Sequence, residues 1–519
     1  MPEEGRTPKR RRGTTRAEQK KEKLLDKRPS ETMGFTPRTL DRSTIAIPLL
    51  RELVAEEKRG ENELHDVVID LHLEFPGGRD MARARVYALL GELPDRANGS
   101  RPRARETSQY MFVRLYGDEI RKLVRLDQAA KRPAIFRVWP DFPLKALLVK
   151  SVSTVKADAA HSSFAAFGRD IVWAVVDSGI DGRHPHFKLY GNVDIDAKLA
   201  HYDFTLDDPL AQPASSKSAL RDDAGHGTHV AGIIAGALTG KPESGTVRAA
   251  VRRWSESGDT VARLERHDAI VGVAPRCKLV SMKVLDQEGN GRTSSVIQAL
   301  DRIQEINGFG RRILIHGVNL SVGYDFEPEW FACGHSPICV EVDRLVRSGV
   351  VVVVAAGNTG YGVQSSEARG NVSSGLPLSI NDPGNAELAI TVGSTHRDMP
   401  HTYGVSYFSS KGPTGDGRMK PDLLAPGEKI LSCAAGGARR EVASEMPRQK
   451  FDYLEQSGTS MAAPHVSGVI AAFLSVRREF IGQPEKVKAL FLSSATDLHR
   501  DPYFQGRGLV DLMRAIQSI

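Results

Sequence analysis

The stretch Ile171-Val172-Trp173-Ala174-Val175-Val176-Asp177-Ser178-Gly179-Ile180-Asp181 decides the fold class. Its apolar run leaves no polar face for water, so it reads as a strand buried on both sides, as in a parallel sheet. The run ends on a carboxylate and then a glycine turn. The same pattern recurs downstream in Leu279–Leu285, Ile313–Leu320, Val350–Ala356 and Leu388–Val392, with helical stretches between. Alternating strands and helices predict a doubly wound α/β fold, a mostly parallel sheet with helices on both faces. In such sheets function sits beyond the carboxyl ends of the strands, which is where Asp177 falls. By itself an Asp at that place also serves as a turn former or a helix cap, and all these readings stay open here.

Working outward, residues 151–519 carry this pattern as one domain, and the region before it differs. Residues 45–58 have helical apolar spacing. His65 to Phe75 alternates like a half-buried strand and is stopped by Pro76-Gly77-Gly78. A helix from Met81 to Leu93, a strand from Tyr110 to Leu115, a helix from Asp118 to Ala130 and a strand from Ala134 to Trp139 follow. Strand, helix, strand, helix, strand is a small α+β domain, placed at residues 41–150. Residues 1–40 are polar and basic, a tail expected to be disordered because such composition cannot bury a core.

The chain has 519 residues and a net charge of +7. Residues 1–28 hold 11 Lys/Arg against 5 Asp/Glu, so nearly all of that excess lies in the tail, around Lys9-Arg10-Arg11-Arg12. The rest is close to neutral, so nucleic acid is not an expected partner beyond the tail. No apolar core of a secretory signal follows the basic start, and no run of 18 apolar residues occurs, so neither export nor a membrane partner is expected. The four cysteines, Cys277, Cys333, Cys339 and Cys433, are too few for a disulfide framework. A cytoplasmic location is the expectation.

Two further segments bear on chemistry. In Asp222-Asp223-Ala224-Gly225-His226-Gly227-Thr228-His229-Val230-Ala231-Gly232, glycines on both sides of His226 permit close approach of another backbone, and an apolar helix follows. Two histidines at this spacing are also a metal pair, though a third ligand is missing. In Ser457-Gly458-Thr459-Ser460-Met461-Ala462-Ala463-Pro464-His465-Val466, Ser460 stands at a helix start, where unpaired N–H groups could stabilise negative charge. The plain alternative is an N-cap serine.

Taken together, Asp177-Ser178-Gly179-Ile180-Asp181, His226 to Gly232 and Gly458 to Val466 resemble, in order, the three motifs of the subtilisin-like serine peptidases, over about residues 165–515. The order Asp, His, Ser is that of the subtilisin arrangement. Ser460 lies in Gly-Thr-Ser-Met-Ala rather than the Gly-x-Ser-x-Gly elbow of α/β-hydrolases. The resemblance implies a serine endopeptidase acting on polypeptide, with Ser460 as nucleophile, His226 as general base and Asp177 orienting it. It implies that Asn358, which ends the run Val350 to Gly357, is the oxyanion donor beside the Ser460 N–H; outside that context an Asn after Gly is a turn residue. For substrate binding it implies Ser321, Val322 and Gly323 as one wall, Ala355, Ala356 and Gly357 as the opposite wall, and Gly289 and Gly291 on the far side of the peptide. Small residues on these walls favour an apolar side chain before the scissile bond. The floor near Asn381-Asp382-Pro383-Gly384 is not assigned.

No cofactor is required by this reading; structural calcium, common in the family, cannot be matched to loop carboxylates here. The segment between Gly236 and Val271, with Arg248, Arg252, Arg253 and Arg263, is longer than the family connection and reads as a helical insertion near the rim. Cys333, His335 and Cys339 read as an extended loop, with a metal role lacking a fourth ligand. The α+β domain resembles a prodomain by size, element order and position, which implies an intramolecular inhibitor removed by self-cleavage between about residues 140 and 165. The competing reading is a peptide-binding regulator on a protease fold with a permanently blocked cleft.

Overall fold

The computed structural model describes residues 44–94, 96, 101–140, 150–240, 247–255, 259–326, 332–366 and 370–519. The basic tail at 1–40 and the segment 141–149 lie outside them. The chain divides into two compact units, Met1–Ala146 and Leu147–Ile519.

In the first unit, strands Leu64–Leu71, Tyr110–Tyr116 and Ile135–Pro140 form an antiparallel sheet with the short Arg105–Glu106 at one edge. Successive strand side chains point to opposite faces. One face, with Val67, Ile69, Met111 and Val113, is buried against helices Gly78–Gly91 and Gly117–Gln128. A third helix spans Ile47–Arg59. The buried Asp127 carboxylate accepts the N–H groups of Ala134 and Ile135 at 2.9 Å each, and so fixes the turn into the last strand.

The second unit is built on seven strands: β1 Val172–Asp177, β2 Tyr202–Asp203, β3 Lys278–Lys283, β4 Gly317–Leu320, β5 Val351–Ala355, β6 Ile390–His396 and β7 Leu423–Glu428. They pair in the order β7-β6-β5-β4-β1-β3-β2, all parallel. Alternate residues feed two cores. Trp173, Val175, Val351 and Val353 pack on one side with helices α1 His226–Ile234 and α4 Thr459–Val476. Ala174, Val176, Val352 and Val354 pack on the other with α2 Thr293–Ile306 and α3 Pro337–Arg347. The doubly wound α/β fold follows from that two-sided burial. Helix α4 is long and apolar enough to cross a membrane, but 83% of it is buried inside the protein. Its apolarity is that of a core helix.

The strand order reverses between β1 and β4, which opens a crevice beyond their carboxyl ends. Asp177 closes β1, and Ser321 follows β4 directly.

The expected helical insertion is instead a β-hairpin. Strand Val247–Trp254 pairs antiparallel with Thr260–His267 and parallel with Tyr453–Gln456, which pairs in turn with Ile430–Cys433. Val247, Ala249 and Val251 point into the main core, a period of two that fits a strand and not a helix. At the second departure from the family, Cys339 packs in the core from α3 while His335 is exposed. Among the described residues no group of His, Cys, Asp and Glu is arranged to hold a metal ion.

Candidate active site

Asp177 is fully buried at the end of β1. Its Oδ1 accepts from the Ser178 N–H at 2.7 Å and from His226 Nδ1 at 2.8 Å. The second contact requires the start of α1 to approach β1 closely, and glycine makes that approach. A Cβ on Gly227 would stand 2.3 Å from the Gly179 carbonyl oxygen and 3.1 Å from Asp177 Cβ. Gly225 sits at φ +99°, and a Cβ there would meet the Ala435 carbonyl oxygen at 2.2 Å. The two glycines flanking His226 are therefore dictated by backbone packing on both sides of the ring.

A second carboxylate holds this turn. Buried Asp222 accepts from Ser178 Oγ at 2.9 Å and the Gly225 N–H at 2.7 Å through one oxygen. Its other oxygen takes the Thr228 N–H at 2.8 Å and Thr228 Oγ1 at 2.6 Å. Ser178 Oγ in turn accepts from the Gly227 N–H at 2.9 Å. The sequence reading gave Asp222 no role, although it stands four residues before His226. Burial disfavours the charged His226 ring, but the charge and hydrogen bond of Asp177, with the charge of Asp222 added, outweigh it and raise the pKa above the ordinary imidazole value.

Ser460 lies in the first turn of α4, with its side chain half-buried. Its Oγ donates to the Ser321 carbonyl at 3.2 Å, and its own carbonyl accepts from Ser321 Oγ at 3.0 Å. Buried Asn319 on β4 ties this junction together: its Nδ2 donates to Ser321 Oγ at 2.8 Å, and its Oδ1 accepts from Ser467 Oγ at 2.9 Å. Asn358 follows β5. Its Oδ1 accepts the Thr459 N–H at 2.9 Å and Thr459 Oγ1 at 3.0 Å. These bonds anchor the side-chain oxygen, and Asn358 lines the same cavity as Ser460.

His226, Ser460 and Asn358 all line one cavity of about 830 Å³. Ser321, Val322, Gly323, Ala355, Gly357, Gly289 and Gly291 line it as well. Ala356 does not; it is fully buried one residue behind the wall, because neighbouring strand residues alternate sides. Tyr324 and Thr359, to which the sequence assigns no role, also line the cavity, as does Asn381 from the floor left unassigned. Thr359 Oγ1 donates to Asn381 Oδ1 at 2.8 Å, and Asn381 Nδ2 donates to Asp325 at 2.9 Å, so the unassigned floor is polar and internally bonded. A hydroxyl, an imidazole held by a buried carboxylate and a side-chain amide in one cleft are parts that acyl transfer needs.

The family model described as "Subtilase family" matches residues 168–508. "Serine protease AprX" of Bacillus subtilis (strain 168) is 29% identical over 393 residues, 74% of each chain. "Subtilisin E" of the same organism is 28% identical over 366 residues, 70% of each. A solved cold-adapted subtilisin-like serine proteinase is 25% identical with a TM-score of 0.41, covering 66% of this chain and 88% of that one.

Proposed function

The chain belongs to the subtilase family and is a subtilisin-like serine endopeptidase; from that premise we propose that it cleaves polypeptides through an acyl-enzyme on Ser460. The observation that carries this reading is the 2.8 Å bond from His226 to buried Asp177 within the cleft that also holds Ser460 and Asn358. In this reading Ser460 Oγ leaves the Ser321 carbonyl to hydrogen-bond His226 Nε2. The imidazole takes the proton as Oγ attacks the scissile carbonyl, then gives it to the leaving amine. Asp177 fixes the tautomer and stabilises the imidazolium. On the same reading the oxyanion forms against the Ser460 N–H and Asn358 Nδ2, since fixed donors stabilise developing charge without reorganisation. Water then reverses the same steps to release the acid.

The substrate main chain adds as a strand between Ser321–Gly323 and Gly289–Gly291, since open strand edges bind extended peptide by backbone bonds. The side chain before the scissile bond enters between Ser321–Gly323 and Ala355–Gly357. The small walls favour apolar groups, and the closed floor of Thr359 and Asn381 limits their length.

The α+β unit acts in this reading as an inhibitor until cut. Both parts are tested by incubating wild-type protein and Ser460→Ala with a protein substrate. Wild type is expected to degrade it and to lose its own N-terminal unit between about residues 140 and 165, while Ser460→Ala does neither. An active wild-type preparation with only intact chain would refute the inhibitory part; equal substrate cleavage by the variant would refute the nucleophile.

A further inference from the structure

The hairpin Val247–Trp254/Thr260–His267 is not used by the chemistry above, and it carries an electrostatic anomaly. Arg248 and Arg266 are direct cross-strand partners, both exposed. Like charges directly opposite one another destabilise a sheet. Among the described residues neither has an ion pair, whereas Arg252 bonds Glu445 at 2.9 Å and Arg253 bonds Glu265 at 2.6 Å. On the other side of Arg248 lies the strand of Tyr453, whose preceding residue Asp452 donates its N–H to the Arg248 carbonyl. The Asp452 carboxylate stands 4.0 Å from Arg439. The row across three strands thus reads Asp452, Arg248, Arg266, and stops there.

It stops because Thr260–His267 is the edge of its sheet. An edge strand presents unpaired N–H and C=O groups, a template for another extended chain. Besides Arg266, exposed Arg263 projects from this edge on the opposite face, across from Val251 and without an ion pair among the described residues. Leu264 and Glu265 lie between them, Glu265 being engaged with Arg253. At the end of the same ladder Trp254, paired with Thr260, is 72% exposed. Exposed Trp and Arg are the side chains most often found as binding anchors.

We infer that this edge is an exosite for an extended, acidic segment of a protein substrate, added as a fifth strand. The incoming strand would place carboxylates opposite Arg263 and Arg266, hence three residues apart, with neutral or apolar residues between. A carboxylate beside Arg266 completes the row as minus, plus, plus, minus. Backbone pairing at an edge selects polypeptide over nucleic acid, which has no such ladder to offer. The substrate assignment rests on the peptidase reading; the binding itself does not, so the two fail separately.

The test uses the full chain with Ser460→Ala, so that the probe survives. The probe is fluorescein-labelled Val-Glu-Val-Thr-Glu-Val amide, followed by fluorescence anisotropy, beside its Gln-for-Glu counterpart and a single-stranded oligonucleotide of equal charge. The expected result is binding of the Glu peptide at least about 10-fold tighter than the Gln peptide. Arg263→Glu/Arg266→Glu abolishes it, and Arg263→Lys/Arg266→Lys retains most of it. In otherwise wild-type protein, the double Glu variant then raises KM for an acidic protein substrate while a short chromogenic peptide is cleaved as before. That unchanged peptide cleavage also shows that the variant is folded. Equal binding of both peptides, no loss in the Glu variant, tighter binding of the oligonucleotide at the same residues, or sedimentation showing that the edge pairs two copies of the chain would each overturn the inference. Binding as expected but an unchanged protein-substrate KM would overturn the substrate assignment.

Discussion

Replacing Asp222 by Asn tests how the imidazole is held, because the substitution keeps shape and removes only charge and one acceptor. The carboxylate accepts four hydrogen bonds, two per oxygen. An amide can serve one pair with its oxygen and must turn its NH₂ to the other. The hydroxyls of Ser178 and Thr228 can reverse roles, but a backbone N–H cannot, so either Gly225 or Thr228 is left with a buried unpaired donor. That costs about 1–3 kcal/mol, and the remaining bonds each lose roughly 1 kcal/mol of charge assistance. A total of about 4–6 kcal/mol is expected. In a unit of about 370 residues that lowers Tm by only about 5–8 °C. The larger effect falls on the turn carrying His226, so kcat/KM for a chromogenic peptide should drop roughly 10- to 100-fold. Asp222 also helps to raise the His226 pKa. Its loss should therefore move the acidic limb of the kcat/KM profile to lower pH. Calorimetry and a pH–rate profile read both. Wild-type activity with an unshifted acidic limb would show that Asp222 does not hold His226.

Asp177→Asn should leave the fold intact and lower kcat by about 10⁴-fold, because the amide favours the wrong imidazole tautomer; steady-state peptide hydrolysis measures it, and a loss below 10-fold would count against the assigned role. A separate expectation concerns acid. Burial is the main cause holding His186 and His229 down to about 3, and His465 down to about 4. Since these folded values lie below the unfolded imidazole, the unfolded chain binds more protons under pH 6.5, and stability is lost as pH falls from there toward 4. Three such groups contribute about 4 kcal/mol per pH unit, opposed by the raised pKa of His226 and by the buried carboxyls of Asp127 and Asp222, which burial also raises. Urea midpoints of Ser460→Ala between pH 7 and 4.5 should fall steeply below pH 6; a flat profile would contradict the buried neutral histidines.

Much of this site is legible in the sequence because it is local. Val350 to Val354 reads as a buried parallel strand since both of its faces are covered, and the segments around Asp177, His226 and Ser460 each carry their own turn and helix signals. The rest needs three dimensions. Asn381 and Thr359 are neighbours only because the chain returns to the end of β5 after the antiparallel pair Tyr361–Ser366 and Gly370–Gly375, and no periodicity announces that. Strand β7 was not anticipated because Pro426 interrupts its apolar run. The sheet accepts that proline at an edge, where a missing N–H breaks no central ladder. The Arg-rich insertion, expected to be helical, forms a pair of strands. Its strand character depends on pairing with Tyr453–Gln456, far downstream.

The most direct measurement of the central claim is labelling with a fluorescent fluorophosphonate, which reacts only with an activated serine. One labelled peptide, containing Ser460, is expected, with labelling lost in Ser460→Ala and slowed in His226→Ala. Undiminished labelling of Ser460→Ala, or an adduct mapped to another serine, would contradict it.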